Sequence, residues 1–231
     1  MNSSNKEEDY KKNQEIIPVN FGFVNSYIIK GENKLILVDT GLPGNAQKII
    51  KKIEEIGFKT GDVSLIILTH VHLDHMGSLK ELKDIIRAKV AVHKNEADYL
   101  IEGKTAETVP ITGFGKFMMR MIKNRSQKII EGVKPDILIE DEMDLNEFGV
   151  KGKVIFTPGH TDGSVSVFLN SGICLCGDTI HTSFGKLTYG MFCSDINKLK
   201  ESIAKIKNSN AKEVYLSHGG IINIDKIRKS F

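Results

Sequence analysis

Leu68-Thr-His-Val-His-Leu-Asp-His-Met-Gly77 directly extends the apolar run Leu65-Ile-Ile67. Within it His70, His72, Asp74 and His75 fall in six consecutive residues, although the 231-residue chain has only seven histidines. A short apolar run bounded by polar residues predicts a strand over 64–69, covered on both faces by other layers. The histidines then leave that strand at its carboxyl end, where a rigid sheet fixes the loops and ligands gather in α/β folds. His70 and His72, two apart, can share a side if extended geometry persists, whereas the adjacent Asp74 and His75 must diverge. Diverging donors at this density suit two metal ions. Imidazole nitrogen and carboxylate oxygen favour zinc, and also accommodate iron or manganese.

Four further polar groups follow apolar runs in the same way. Asp39 follows Leu35-Ile-Leu-Val38, His160 comes shortly after Val154-Ile-Phe156, Asp178 follows Cys174-Leu-Cys176, and His218 follows Val214-Tyr-Leu216. Convergence on one site is the economical explanation. Around these ends the chain reads as a hairpin over 26–38 and a helix with Ile49, Ile50, Ile53 and Ile56 on one stripe. A helix carrying Leu79, Leu82, Ile85 and Ile86 and a strand over 88–92 complete a β-α-β rhythm. The second half offers strands at 137–139, 153–157, 164–169, 173–176 and 213–217. Asp195 caps a helix with Ile196, Leu199, Ile203 and Ile206 on one stripe, and a last helix runs over about 224–229. Two sheets packed together with helices outside are expected.

The hydrophobic fraction of 40% and charged fraction of 26% fit a soluble globular chain, without an apolar run near the roughly 20 residues that span a bilayer. Residues 1–17 are expected to form a flexible polar tail; with no apolar h-region there, a cytoplasmic location is expected. The net charge of +3 is spread rather than clustered, so neither nucleic acid nor membrane is an expected partner. Cys174, Cys176 and Cys193 are an odd number without a paired CxxC, which suits a reducing compartment and small core filling. Over 95–136 the rhythm breaks into a helical insertion, with helices expected at 96–101 and 114–130. Phe114, Phe117, Met118, Met119, Met121 and Ile122 make it more apolar than an exposed excursion. It could pack on the body of its own domain, cover a pocket as a lid, or form the contact of a homodimer. His93 reads as a cap on the following helix or an outer support.

In order along the chain, His70-x-His72-x-Asp74-His75, His160 in Thr157-Pro-Gly-His-Thr-Asp-Gly-Ser164, Asp178 in Gly177-Asp-Thr179 and His218 in Ser217-His-Gly219 resemble the metallo-β-lactamase superfamily. The likeness runs from about Phe21 to the last helix, apart from the insertion. It implies an α/β fold, a four-layer αββα sandwich of two mixed β-sheets flanked by helices, in one domain over 18–231. It also implies a dinuclear centre in which His70, His72 and His160 hold one metal, Asp74, His75 and His218 the other, and Asp178 bridges them. Asp39 would orient a ligand from outside. The motif is similar to glyoxalase II and the acyl-homoserine lactonases. The expected activity is therefore hydrolysis of a small lactone, ester or thioester with an apolar part, by a hydroxide bridging two divalent ions, zinc first. Asp74 and Asp178 would be catalytic, with Asp74, His181 or Tyr189 as proton donor to the leaving group, and with His181, Tyr189, Phe117 and Met118 along the pocket. The rivals are a phosphodiesterase or nuclease, a mono-iron persulfide dioxygenase and a non-catalytic metal-binding module.

Overall fold

Strict alternation of apolar side chains assigns each strand two buried faces. Ile28, Leu35, Leu37, Ile66 and Leu68 point to one side of the first sheet, and Ile29, Ile36, Val38, Leu65 and Ile67 to the other. The computed structural model describes residues 14–123 and 130–231. The first sheet comprises β1 (Glu15–Asn20), β2 (Asn25–Lys30), β3 (Leu35–Val38), β4 (Val63–Ile67), β5 (Lys89–His93) and, beyond the insertion strand β6 (Val109–Pro110), β7 (Ile137–Ile139). The order is β1-β2-β3-β4-β5-β7: antiparallel up to β3 and parallel from there on. Parallel neighbours need crossovers, supplied here by α1 (Ala46–Glu55) between β3 and β4. Between β4 and β5 run α2 (Leu73–Met76) and α3 (Leu79–Ile86).

The second sheet runs β16-β15-β11-β10-β9-β8. Its members are β8 (Glu142–Asp144), β9 (Gly152–Phe156), β10 (Val165–Leu169), β11 (Ile173–Leu175), β15 (Glu213–Tyr215) and β16 (Ile221–Asn223). Only β11 and β15 pair in parallel, and α6 (Ile196–Lys207) makes that crossover before α7 (Ile224–Ser230) ends the chain. Asp195 caps α6, accepting from the N–H groups of Asn197 and Lys198. A central core of Ile29, Ile36, Ile67, Val154, Val167 and Leu175 joins the sheets. Ile49, Ile53, Leu79 and Leu82 cover the outside of the first sheet, and Leu199, Ile203, Ile206 and Ile227 that of the second, where Cys174, Cys176 and Cys193 are buried as free thiols. The result is the expected αββα sandwich.

Some boundaries depart from the sequence reading. β1 begins at Glu15, inside the expected tail, because Ile16 and Ile17 pair with Ile29 and Ile28; residues 1–13 lie outside the described ones. As an edge strand carrying Pro18, β1 has a weak strand signature. The insertion has two characters. Leu100 in α4 (Ala97–Glu102), Ala106 and Val133 belong to the core beneath the first sheet. Phe114, Phe117 and Met121 of α5 (Gly113–Lys123) are exposed instead. Residues 124–129, expected to continue that helix, lie outside the described residues. A hairpin of β12 (His181–Ser183) and β13 (Lys186–Thr188) and the strand β14 (Phe192–Cys193), paired with β6, were also not foreseen. Among the described residues no helix is long and apolar enough to cross a membrane.

Candidate metal centre

Past β4 the backbone turns into α2, whose first turn closes when the His72 carbonyl accepts from the N–H groups of His75 and Met76 at 3.0 and 2.9 Å. His70 and His72 therefore precede the helix while Asp74 and His75 lie within it. Asp39 holds this turn from the end of β3. Its Oδ1 accepts from Thr69 N–H at 2.8 Å, and its Oδ2 from the Thr69 hydroxyl at 2.8 Å and His75 Nδ1 at 2.9 Å. It reaches them in a left-handed conformation with φ of 61°, which a short polar side chain tolerates better than most.

Three imidazoles converge on one point. His72 Nδ1 lies 3.0 Å from His70 Nε2 and 3.2 Å from His160 Nε2. For donors about 2.0–2.1 Å from a tetrahedral ion, neighbouring donors stand about 3.3 Å apart, so the spacing fits one shared cation. Asp74, His75 and His218 form a second group, with His218 Nε2 3.2 Å and His75 Nε2 3.9 Å from Asp74 Oδ2. Asp178 joins the two: its Oδ2 is 3.5 Å from His160 Nε2 and 3.4 Å from His218 Nε2, and its Oδ1 is 3.5 Å from His75 Nε2.

The fit to metal also rests on what these atoms lack. His75 Nε2, Asp178 Oδ1 and His181 Nε2 are buried without a hydrogen-bond partner, an arrangement that costs about 1–3 kcal/mol per group unless something polar fills the space. The outer ring nitrogens of three of the histidines are anchored, that of His75 by Asp39 as described. His160 Nδ1 donates to the Phe192 carbonyl at 3.2 Å and His218 Nδ1 to the Phe23 carbonyl at 2.9 Å. Fixing the tautomer by an outer hydrogen bond aims the other nitrogen inward.

Charge is distributed unevenly. Burial holds His70 and His160 well below the usual histidine range, and His72 is lowered chiefly for the same reason. Burial also opposes protonation of His75 and His218, but Asp178 and its neighbouring carboxylates prevail, raising His75 well above its ordinary value and His218 to about 10. For Asp178 burial is outweighed by His218, His181 and His75, which hold it well below the carboxylate range; for Asp74 burial is outweighed by His75 and the His218 hydrogen bond, so it too is lowered. A proton favoured on His75 or His218 by these carboxylates occupies the place a cation would take, so metal binding there would compete with it.

Glu96 escaped the sequence reading. Buried beneath the centre, its Oε2 accepts from Val71 N–H at 2.5 Å and its Oε1 from Gly163 N–H at 2.8 Å. It thereby fastens the loop of His70 and His72 to that of His160. Burial raises its pKa, against hydrogen bonds from Thr161, Val71 and Gly163. Nothing in sequence distinguishes it from other glutamates, since its partners are backbone groups 25 and 67 residues away. His93 accepts from Asn95 N–H at 3.2 Å and stacks on Phe156, the capping role expected of it.

Of the expected pocket residues, His181 is at the centre, with Nε2 3.4 Å from Asp178 Oδ2; burial holds its pKa below the usual value. Tyr189 is not brought there: its ring packs on Phe231 and on the core under α6 and α7. The rings in that core offer it more apolar contact than the polar centre would. Phe117 is exposed on α5, its ring 6.4 Å from that of Phe114, and the side chain of Met118 lies outside those described. Besides the Glu96 side chain, the insertion meets the centre through backbone contacts. Ala106 N–H donates to the Val71 carbonyl at 2.7 Å, the Ala106 backbone bonds His72, and β6 pairs with β14, whose Phe192 supports His160.

Residues 19–218 match the family model described as the Metallo-beta-lactamase superfamily. A probable metallo-hydrolase of Methanocaldococcus jannaschii is 31% identical over 202 residues, 85% of this chain and 88% of that protein. A hydroxyacylglutathione hydrolase of Pelagibacter ubique is 27% identical over 84% of this chain and 65% of its own length. The chain spans 57–65% of three other curated relatives. Among solved structures, a metallo-beta-lactamase family protein of Thermus thermophilus superposes with a TM-score of 0.68 at 22% identity. That match covers 95% of this chain and 77% of that one, a likeness of fold.

Proposed function

The chain belongs to the metallo-beta-lactamase superfamily, and on that premise we propose that it is a metal-dependent hydrolase opening a small lactone, ester or thioester with an apolar part. The observation that carries the reading is the pair of donor groups, His70-His72-His160 and Asp74-His75-His218, that share Asp178. Two divalent first-row ions bound there would supply a hydroxide nucleophile at neutral pH and polarise a carbonyl.

The chain's own residues do the rest. Asp39, Glu96 and the Phe23 and Phe192 carbonyls hold the donors in place through the hydrogen bonds described, so little reorganisation is needed when charge develops. Asp74 is a quarter exposed and lies at the mouth of the centre. Held ionised, its carboxylate can accept a hydrogen bond from the attacking nucleophile and orient it toward the carbonyl. The exposed Phe23, Phe114, Phe117 and Phe184 offer apolar surface for an acyl group. The three buried free thiols suit a reducing, cytoplasmic setting.

Elemental analysis of the purified protein with a panel of lactones, thioesters and bis-aryl phosphates tests this. Two metal ions per chain and turnover of acyl substrates that improves with acyl length are expected. Turnover of phosphodiesters alone would replace the reading with the nuclease one, and inertness toward the whole panel with two ions bound would favour a binding module.

A further inference from the structure

Neither donor group of the proposed centre includes His181, yet its ring is aimed into it. Nε2 is buried without a hydrogen-bond partner, 3.4 Å from Asp178 Oδ2. An N–H directed at that oxygen from such a distance would be a hydrogen bond. The two atoms instead face a common space. His218 Nε2 and His160 Nε2 stand 3.4 and 3.5 Å from the same oxygen, so all three nitrogens share the spacing of donors around a cation. His160, Asp178 and His181 form a grouping of their own, with donor atoms within 4.8 Å of one another.

The surroundings hold the ring in that pose. It lies parallel to His218, with centroids 5.4 Å apart and an interplanar angle of 7°. Gly190, at φ 80°, leaves the room it occupies, since a Cβ there would stand 2.7 Å from Cδ2 and 2.9 Å from Nε2. The Thr182 hydroxyl donates to the His218 carbonyl at 3.3 Å, tying the hairpin to the strand end that bears His218. A fixed ring, a partnerless inward nitrogen and a carboxylate already facing two donor groups are the marks of a ligand.

We propose that His181 is an additional protein ligand of the metal centre, sharing an ion with His160 and Asp178. That ion then has His70, His72, His160, Asp178 and His181 within reach. Five protein donors exceed the four of a tetrahedral zinc site and suit an ion that accepts five or six ligands, such as iron, manganese or cobalt.

The inference rests on the dinuclear reading, and one titration separates the two. Chelator-stripped full-length protein is titrated with Co2+, following visible d–d absorption and bound metal. Fewer than two ions in the wild type would defeat the dinuclear reading itself, whatever the variants do, and the inference with it. With two bound, His181→Phe keeps a ring against Gly190 and His218 but has no donor atom, and His181→Ala removes both. Both are expected to weaken one ion by about tenfold or more and to intensify the d–d bands as coordination number falls, while Lys186→Ala on the same hairpin matches the wild type. A His181→Phe protein with wild-type Co2+ affinity and spectrum overturns the proposal, even if His181→Ala is impaired, because the ring would then be a spacer.

Discussion

The floor of the centre and its rim are built on opposite principles. On the floor, His70 and His75 are at most 1% exposed, and His70, His75, His160 and His218 are each held by a second contact, from Thr69, Asp39, Phe192 and Phe23 in turn. On the proposed rim, the apolar surface assigned above to an acyl group, Phe184 is fully exposed, and Phe114 and Phe117 are 62% and 59% exposed, with one loose ring contact between them. Ion binding demands fixed geometry to within tenths of an ångström, so the floor is over-determined. Apolar recognition demands area and tolerates movement, so the rim need not be. The difference teaches where substitutions should alter metal binding and where they should alter only substrate choice.

The largest break of that contrast is Asp178→Ala, which removes the carboxylate common to both donor groups. Both ions are expected to be lost or weakened together and turnover to fall by about 10²–10³-fold or more, measured by elemental analysis beside kcat/KM. Unchanged turnover would sink the shared-carboxylate reading. Glu96→Ala tests whether the floor depends on a residue that touches no donor side chain. It leaves the Val71 and Gly163 N–H groups without acceptors, so a loss of about 2–5 kcal/mol and a Tm lower by about 2–4 °C per kcal/mol are expected. Metal affinity should drop about tenfold with it.

A pH scan sharpens the comparison further. Burial opposes the His218 proton, but Asp178 and Asp74 raise its pKa from 6.5 to about 10. The folded ion-free protein therefore holds this proton more tightly than the unfolded chain. Its stabilisation is complete below about 6.5 and is lost as pH rises through about 10. Chelator-stripped protein should lose Tm between pH 7 and 10, and the metal-loaded protein should not show this slope; coincident slopes would mean that ions do not displace this proton. The smallest effect belongs to the rim. Phe114→Ala with Phe117→Ala should change stability by no more than about 0.5 kcal/mol and raise KM a few-fold for long acyl substrates, by about 1 kcal/mol for each methylene group left uncovered. Equal losses on short and long substrates would give these rings a structural role instead.

How much was legible follows from where the information lies. The candidate donors could be read because chemistry restricts them to His and Asp and because each segment that carries them follows an apolar run, a signal local in sequence. Glu96 could not, because its meaning is the Gly163 N–H it meets across 67 residues. Nor could the Phe23 and Phe192 supports, which are backbone carbonyls that any residue offers. The short strands β8, β12, β13, β14 and β16 have two or three residues each, too few for a period of two to emerge, and exist only because a neighbour pairs with them. Tyr189 misled because a tyrosine near Asp178 in sequence points away in space, onto Phe231.

By itself the sequence determined the layered α/β architecture, through alternating and helical apolar periods, and the candidate donors, through the dense run at His70 to His75. Tertiary structure alone decided which nitrogen of each imidazole faces inward, that Glu96 ties two loops into one floor, and that His181 joins the centre while Tyr189 leaves it. Periodicity is a property of neighbours along the chain. Tautomer, register and convergence depend on groups brought together across as many as 195 residues, and only packing fixes those.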